Sequence, residues 1–550
     1  MPHPTTRLTP ALVSAIALAM TSFAASESAA QELPLTWQEE QNFRSGPTPF
    51  DPLMAFWYEL DAISPIVNMR PLTHTLLDRE MYTVTIADPP ITNPEDAVRS
   101  GKTIVLLAPS VHGGEVSPKE SVQLVAKELV AGDLRSLLDD VIVVVVPIIN
   151  PDGGEVQRRT NEAGYDMNRD YVKLESQEIH GLVTQVMNEW TPDIHVDGHH
   201  GGSPPYVITY QGTLNPAADD ELRRYPYQNI FPRLRDAVAA EGYRAFDYSG
   251  VRTVDGERGW GSTSVEPRKH HVYTGLTNSI GILLETPNAR TLFRNGSLEE
   301  TPDDERYYHQ IRGGFLATSE ILRVAAENRA EIRALTTASR MRAVQAGADG
   351  GDPIVLDYEL TNRGDEPVWM PEEDVPGGYS LQTVPVFLEW VPTRTTPRPV
   401  GYLLPPAMAS VVPLLQDHDI SVYRFRAPAT LEAEVFYATD VNRDSYFQGH
   451  YLKSAEVEKV TESLDVAPGW FWVPSAQSRA NLINYILEPE TDDNLITWGW
   501  TDHVLEVTEE GDDERQRVPM MRVMRHQYLP VVEVQPFNMY QRKRYFRPGY

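Results

Sequence analysis

Histidine and carboxylate side chains, which can bind metals or transfer protons, follow apolar runs in this sequence. His112 and Glu115 come shortly after the apolar run 103–109, and Glu285 ends the apolar run 279–285. Imidazole nitrogens and carboxylate oxygens are common metal ligands in proteins. The chain has no cysteine. Any metal site must therefore be built from His, Asp and Glu.

Further polar segments come in order along the first part of the chain. They are Asn150-Pro151-Asp152-Gly153, Arg158-Arg159, Asp166-Met167-Asn168-Arg169-Asp170 and the stretch 193–200, which reads DIHVDGHH. The chain contains no HExxH motif, no GxSxG nucleophile elbow and no glycine-rich phosphate loop. These absences leave the scattered His, Glu and Arg residues as the candidates for chemistry.

The elements that must position these residues alternate between strand-like and helical patterns. Continuously apolar runs at 103–109, 141–149 and 279–285 indicate strands that are buried on both faces. Helical periodicity between them predicts helices at about 117–129 and 176–190, and a long closing helix at 306–342. We therefore predict an α/β fold, with polar residues at the carboxyl ends of its strands, where such sheets bind ligands.

The chain is expected to divide near residue 345. Residues 31–345 would form the first domain, with a lead-in before the first strand, and the turn-rich segment 347–353 would link it to the rest. Residues 346–550 carry short alternating runs such as 354–360, which predict a mainly β C-terminal domain.

Taken in order, the motifs HGGE, NPDG, RR, DMNRD, DIHVDGHH and ILLET resemble those of the zinc carboxypeptidase family. The resemblance covers about residues 50–340. It implies a mixed, mostly parallel sheet flanked by helices, and a hydrolase that cleaves C-terminal peptide bonds with one zinc ion. The substrate implied is a peptide with a free C-terminal carboxylate.

The same resemblance implies which residues hold the metal. His112, Glu115 and His195 match the three zinc ligands, which would leave a fourth position for water, as a catalytic site needs. His199 and His200 remain alternatives for the second histidine. His195 is preferred because it continues the predicted strand and matches the family's Asp-x-His pattern.

Two acidic residues receive roles in the same way. Glu285 would accept the water proton and pass it to the departing amide nitrogen. Asp166 would form a hydrogen bond with His112 and fix its orientation.

The basic residues complete the implied site. Arg158 would stabilise the oxyanion, with Arg159 as the alternative one position later. Asn168 and Arg169 would bind the terminal carboxylate of the substrate, because a guanidinium suits bidentate binding. The family's mobile tyrosine has two candidates, Tyr248 and Tyr273. The basic run 268–271 is interpreted as a solvated loop, with contact to an acidic substrate as the alternative.

The net charge bears on the partners of the protein, and the N-terminal segment bears on its location. A formal net charge of -30 argues against nucleic-acid partners. Residues 1–30 contain Arg7, the apolar run 11–25 and then small residues, which predicts a signal peptide. We therefore expect an exported protein, periplasmic or extracellular, without a membrane span after cleavage.

Two other functions are compatible with the sequence. One is a zinc amidohydrolase that acts on N-acyl amino acids or cell-wall peptides. The other is a catalytically silent protein that binds an envelope partner through its C-terminal half, although candidates at His112, Glu115, His195 and Glu285 are all intact.

Overall fold

The structure is a computed structural model that describes residues 33–44, 46–288, 290–509 and 514–536. The predicted signal peptide, 1–30, lies outside the described residues. Within the described ranges, no helix is both long and apolar enough to cross a bilayer.

The described part of the chain contains strands in both halves. In chain order they are β1 (Val67–His74), β2 (Glu80–Ile86), β3 (Thr103–Pro109), β4 (Val141–Val145), β5 (Ile194–Gly202), β6 (Ile208–Gly212), β7 (Ala245–Asp247), β8 (Gly250–Val254), β9 (Glu257–Gly261), β10 (Ile280–Pro287), β11 (Thr291–Arg294), β12 (Ser297–Glu300), β13 (Pro353–Pro371), β14 (Tyr379–Pro397), β15 (Gly401–Leu404), β16 (Tyr423–Phe425), β17 (Ala429–Phe447), β18 (His450–Val466), β19 (Phe471–Pro474), β20 (Gln516–Val523) and β21 (Val531–Glu533).

The α-helices lie mostly in the first half. They are α1 (Trp37–Glu40), α2 (Phe50–Ile63), α3 (Pro94–Ser100), α4 (Ser117–Ala131), α5 (Pro151–Glu155), α6 (Gln177–Gly181), α7 (Asn188–Trp190), α8 (Asp220–Tyr225), α9 (Phe231–Ala240), α10 (His270–Leu276), α11 (Arg306–Glu327), α12 (Arg329–Asp349), α13 (Val411–Asp417) and α14 (Ala480–Leu487). The 3₁₀ turns are Arg135–Asp139, Met167–Arg169 and Pro406–Met408, and the π-helical turns are Leu182–Met187 and Pro226–Ile230.

The main sheet has eight strands in the order β1-β2-β4-β3-β5-β10-β6-β7. Its centre, β4-β3-β5-β10, is parallel. The pairs β1–β2, β2–β4 and β10–β6 are antiparallel, and the edge strand β7 pairs with β6 in parallel. This mixed α/β sheet, with helices on both faces, confirms the fold class expected from the sequence.

The central strands are apolar throughout because both of their faces are covered. In β3, Ile104 and Leu106 belong to one hydrophobic core, and Val105 and Leu107 belong to the other. Alternate side chains of a strand point to opposite faces, so a continuous apolar run fills both cores at once.

The closing helical segment differs from the prediction. Instead of one helix over 306–342, α11 ends at Glu327, Asn328 leaves the helical conformation, and α12 begins at Arg329. The apolar spacing indicated helix correctly on both sides of this break but did not show the break itself.

Beyond residue 350 the chain is mainly β, and it shares a sheet with the first half. Two long hairpins, β13–β14 and β17–β18, dominate this region. One sheet has the order β13-β14-β9-β8, because Val386 and Phe387 of β14 pair in parallel with Trp260 and Gly261 of β9. The first half therefore depends on a C-terminal strand to complete this four-stranded sheet.

Candidate metal centre

The register of the central strands brings three polar positions to one edge of the main sheet. Pro109, the last residue of β3, pairs with Gly198 of β5, and the next residue, His199, pairs with Glu285 of β10. His112 follows β3 by three residues. Because all three strands are parallel, their carboxyl ends meet here, as expected for a ligand-binding edge.

His112, Glu115 and His199 form a group whose ligand atoms all lie within 4.8 Å of one another. Nδ1 of His112 is 2.8 Å from Oε1 of Glu115, and Nδ1 of His199 is 2.8 Å from Oε2 of the same carboxylate. The two Nδ1 atoms are 3.1 Å apart. Two imidazoles and one carboxylate are a donor set that zinc accepts.

The orientation of the two imidazoles fits a cation in this group. Nε2 of His112 donates to Oδ1 of Asp166 at 2.8 Å, and Nε2 of His199 lies 2.9 Å from Oδ1 of Asp197. A neutral imidazole that carries its proton on Nε2 presents a lone pair at Nδ1. Two such lone pairs and a carboxylate then converge on one point, which is unfavourable unless a cation lies between them.

The electrostatics of the group also favour positive charge. Burial would lower the pKa of His199, but the carboxylates of Asp197 and Glu115 hold it well above its usual value. Burial would likewise raise the pKa of Glu115, but His199 and His112 hold it below its usual value.

The structure places His199, instead of the expected His195, in the group with His112 and Glu115. His195 pairs with Leu106 and Gly281 in the middle of the sheet, and its Nδ1 lies 3.4 Å from Nε2 of His270. At about 3.3 Å per residue, it is about 13 Å from His199 along β5. The ring of His200 also lies outside the group, although its backbone N–H donates to Glu115.

Asp166 lies where the sequence predicted it, but Asn168 makes different contacts. Asp166 accepts the hydrogen bond from His112 described above. The side-chain nitrogen of Asn168 lies 3.0 Å from Nε2 of His199, and its oxygen accepts the backbone N–H of His270 at 2.9 Å. The amide oxygen of Asn168 is thus used to hold the start of helix α10, and its nitrogen lies against the ring of His199.

Of the paired arginines, the structure places Arg159, and not the expected Arg158, beside the group. The guanidinium of Arg158 turns away to the Asn161 carbonyl at 2.9 Å and the Glu162 carboxylate at 2.7 Å. Arg159 lines the cleft beside the group, where it donates to Glu115 at 3.1 Å and to Asp166 at 2.9 Å. Only Arg159 of the two lines the cleft.

Glu285 lies beside the group at the end of β10 and is nearly fully buried. Burial raises its pKa to about 8; nearby His199 lowers it, while Glu115 and Asp197 raise it further. Its Oε2 has no hydrogen-bond partner among the described residues. A Cβ added at Gly201 would lie 3.0 Å from this oxygen, so the glycine keeps the space beside Oε2 open.

Of the two tyrosine candidates, Tyr248 lines the cleft and Tyr273 does not. The charge of Glu285 and burial together raise the pKa of Tyr248. Tyr273 is fully buried and donates its hydroxyl proton to Nδ1 of His418 at 2.8 Å. Tyr273 therefore belongs to the core behind the sheet.

The group opens into a cleft of about 410 Å³. The residues that line it are His112, Glu115, Arg159, Asn168, Arg169, His199, Gly201, Tyr248, Ser249, Gly250, Arg252, Gly261, Ser262, Thr263, Ser264, Lys269, His271, Leu283 and Glu285. A cleft of this size admits a few residues of an extended peptide.

Sequence reasoning missed Asp197, which is fully buried beside His199. Nδ1 atoms of His270 and His271 lie 3.5 Å and 3.6 Å from its carboxylate. The available signal was the alternation His195, Asp197, His199, which places all three side chains on one face of a strand. The length of that strand, which continues to Gly202, was the missing information.

Comparison with known proteins gives a consistent result. Residues 53–197 match the family described as zinc carboxypeptidase. Carboxypeptidase 2 of Trichophyton rubrum is 23% identical over 425 residues, which cover 73% of this chain and 74% of the relative. Cytosolic carboxypeptidase 3 of Mus musculus is 28% identical over 180 residues, which cover 31% of this chain and 17% of the relative.

A metallo-carboxypeptidase from Pseudomonas aeruginosa, in complex with (2-guanidinoethylmercapto)succinic acid, aligns with a TM-score of 0.40 at 20% identity. The alignment covers 52% of this chain and 70% of that structure.

Proposed function

The chain belongs to the zinc carboxypeptidase family, and we propose that it hydrolyses the C-terminal peptide bond of substrates with a free terminal carboxylate, using Glu285 as general base. The observation that carries this proposal is the convergence of His112, Glu115 and His199 beside the buried carboxylate of Glu285. Zinc held by these three residues would polarise the scissile carbonyl and lower the pKa of a bound water.

Glu285 is suited to proton transfer by its surroundings. With a pKa raised to about 8 before any metal is added, its carboxylate holds a proton more readily than an exposed glutamate. The positive charge of zinc would lower that value, toward the working pH of a general base. In its charged form, Glu285 accepts a proton from the attacking water, and it then delivers this proton to the departing amide nitrogen.

The two arginines that line the cleft near the metal group are assigned to different negative groups of the substrate. Arg159, held by Glu115 and Asp166, has a fixed position from which to donate to the oxyanion that forms on the scissile carbonyl. Arg169 donates through Nη1 to the carbonyl of Asn168 at 2.7 Å, and its guanidinium lines the cleft. We assign Arg169 to the terminal carboxylate, because a planar guanidinium binds carboxylates with two parallel hydrogen bonds.

The test uses the protein that comprises residues 31–550, with Glu285→Gln as the matched variant. We expect both proteins to bind one zinc ion, and only the wild type to release C-terminal residues from synthetic peptides. Peptides with an amidated C-terminus should be poor substrates. Zinc binding without hydrolysis of any peptide by the wild type would contradict the proposed activity, and equal cleavage of amidated peptides would contradict the role of Arg169.

We propose further that the enzyme acts outside the cytoplasm. The support is the sequence of residues 1–30, with a basic residue, an apolar run and small residues in the order of an export signal. N-terminal sequencing of the protein recovered from cell fractions tests this proposal, which fails if the mature chain retains these residues in the cytoplasm.

A further inference from the structure

The cleft beside the metal group carries more cationic than anionic side chains, although the chain as a whole has a net charge of -30. Its lining includes Arg159, Arg169, Arg252 and Lys269, against two carboxylates, Glu115 and Glu285. Both carboxylates belong to the proposed zinc chemistry. A local reversal of charge in an acidic protein concentrates anionic ligands at that place.

Arg252 differs from the other three cations in having no acidic partner. Arg159 is paired with Glu115 and Asp166, Arg169 lies 3.9 Å from Asp166, and Nζ of Lys269 lies 2.7 Å from Glu266. Among the described residues, no carboxylate oxygen lies within 4.0 Å of the guanidinium nitrogens of Arg252. Its charge is therefore available to a ligand.

Arg252 is also held in place by neutral partners. It lies on β8 of the β8–β9 hairpin, donates through Nε to the carbonyl of Gly261 at 3.0 Å, and donates through Nη2 to Oγ1 of Thr263 at 3.1 Å. A guanidinium has five N–H donors, so three remain for a ligand. An arginine held in this way loses less side-chain freedom when it binds a carboxylate.

Other residues that line the cleft also suit a polar ligand. The cleft lining also includes Ser249, Ser262 and Ser264, whose hydroxyl groups can donate to an anion. Lys269, on the same cleft, adds a second cation that Glu266 only partly offsets, because that carboxylate is itself one-third exposed.

We propose that this enzyme prefers peptides whose C-terminal residue is acidic, with Arg252 binding the side-chain carboxylate while Arg169 binds the terminal carboxylate. This inference rests on the proposed carboxypeptidase activity and adds the substrate class. A site that supplies charged donors for a carboxylate discriminates strongly against an uncharged isostere, because its donors are then left unpaired.

The test compares two peptides that differ only in ending with Glu or with Gln. We expect wild-type kcat/KM to be at least 10-fold higher for the Glu peptide, and Arg252→Gln to bring the ratio of the two values close to one. Arg258→Gln is the matched control, because Arg258 lies on the same hairpin, pairs with Glu373 and does not line the cleft. This control should keep the wild-type ratio.

A binding measurement separates failure of this inference from failure of the proposed activity. Zinc-loaded Glu285→Gln protein is titrated with both peptides by calorimetry, and at least 10-fold tighter binding of the Glu peptide supports the acidic preference even if neither peptide is cleaved. Equal affinity and equal kcat/KM for the two peptides overturn it. So does an Arg252→Gln variant that retains the full wild-type ratio.

Discussion

Substitution of Asp197 by Asn should weaken zinc binding without unfolding the protein. Asp197 is fully buried, 2.9 Å from Nε2 of His199, and the described residues provide no Lys or Arg partner for it. Its charge favours the tautomer that has its proton on Nε2 and the Nδ1 lone pair directed at the metal position. An asparagine of the same shape removes this preference, because its amide can either donate or accept.

The expected loss follows from the role of such carboxylates behind metal-binding histidines. Changing one typically costs 10-fold to 100-fold in metal affinity, or about 1.4 to 2.7 kcal/mol. The metal-free protein should lose stability as well, because Asp197 is one of the two carboxylates that favour the protonated form of His199. Zinc affinity is measured by competition with a fluorescent chelator, and stability by urea unfolding of the metal-free protein.

Asp193→Asn is the matched control. Asp193 is equally buried and lies four residues earlier, but it pairs with Arg333 at 3.2 Å and accepts from Thr336 at 2.7 Å, away from the metal group. Its substitution should lower the free energy of unfolding and leave zinc affinity near the wild-type value. Wild-type zinc affinity in Asp197→Asn, with the protein folded, would refute the reasoning about His199.

Three further predictions concern the metal, the oxyanion and acid stability. His199→Ala should abolish stoichiometric zinc binding while His195→Ala keeps it, as equilibrium dialysis can show; the reverse result would restore His195 as the ligand. Arg159→Gln should lower kcat by about 100-fold to 1000-fold, the usual cost of one oxyanion donor, while Arg158→Gln changes it little; steady-state kinetics on one peptide decide, and equal losses would contradict the assignment. Burial lowers the pKa of His418 to about 4, against about 6.5 in the unfolded chain. As the pH falls, the unfolded state therefore binds a proton at a higher pH than the folded state does. The stability that neutral His418 contributes is complete above pH 6.5 and is lost between pH 6.5 and 4, up to about 3 kcal/mol; urea unfolding should show a smaller pH slope for His418→Gln, and an unchanged slope would contradict this account.

Much of the fold was predictable because strands buried on both faces have continuously apolar sequences. The strand 103–109 is apolar at every position since both of its faces meet a core, and its bounds in the structure agree with the prediction. His112, Glu115 and Glu285 were found through their positions after such strands. Local sequence is therefore sufficient to locate polar residues that follow the carboxyl end of a buried strand.

The errors arose where the answer depends on pairing between distant segments. His195 and His199 lie on the same face of β5, and only the register with β3 and β10 shows which of them reaches the edge. The choice between Arg158 and Arg159 depends on the direction of one loop residue. Sequence periodicity carries no information about either.

The C-terminal half raises the same problem on a larger scale. Its β character was predictable from alternating runs, but its pairing with β9 was not. Nor was the contact at the tip of the β17–β18 hairpin, where Oε1 of Gln448 accepts the backbone N–H of Asp166 at 2.8 Å. That contact links the second half to the residue that orients His112.

This late contact also gives the enzyme an order of assembly during synthesis. A ribosome releases the chain from its N-terminus, so His112, His199 and Glu285 emerge long before β14 and Gln448. A nascent chain that ends before residue 353 contains every proposed ligand, but it lacks the strand beside β9 and the acceptor at Asp166. Peptide hydrolysis by such a truncated protein would show that these contacts are dispensable. The cleft itself is lined by residues 112–285, so translation completes its lining well before β14 and Gln448 can make their supporting contacts.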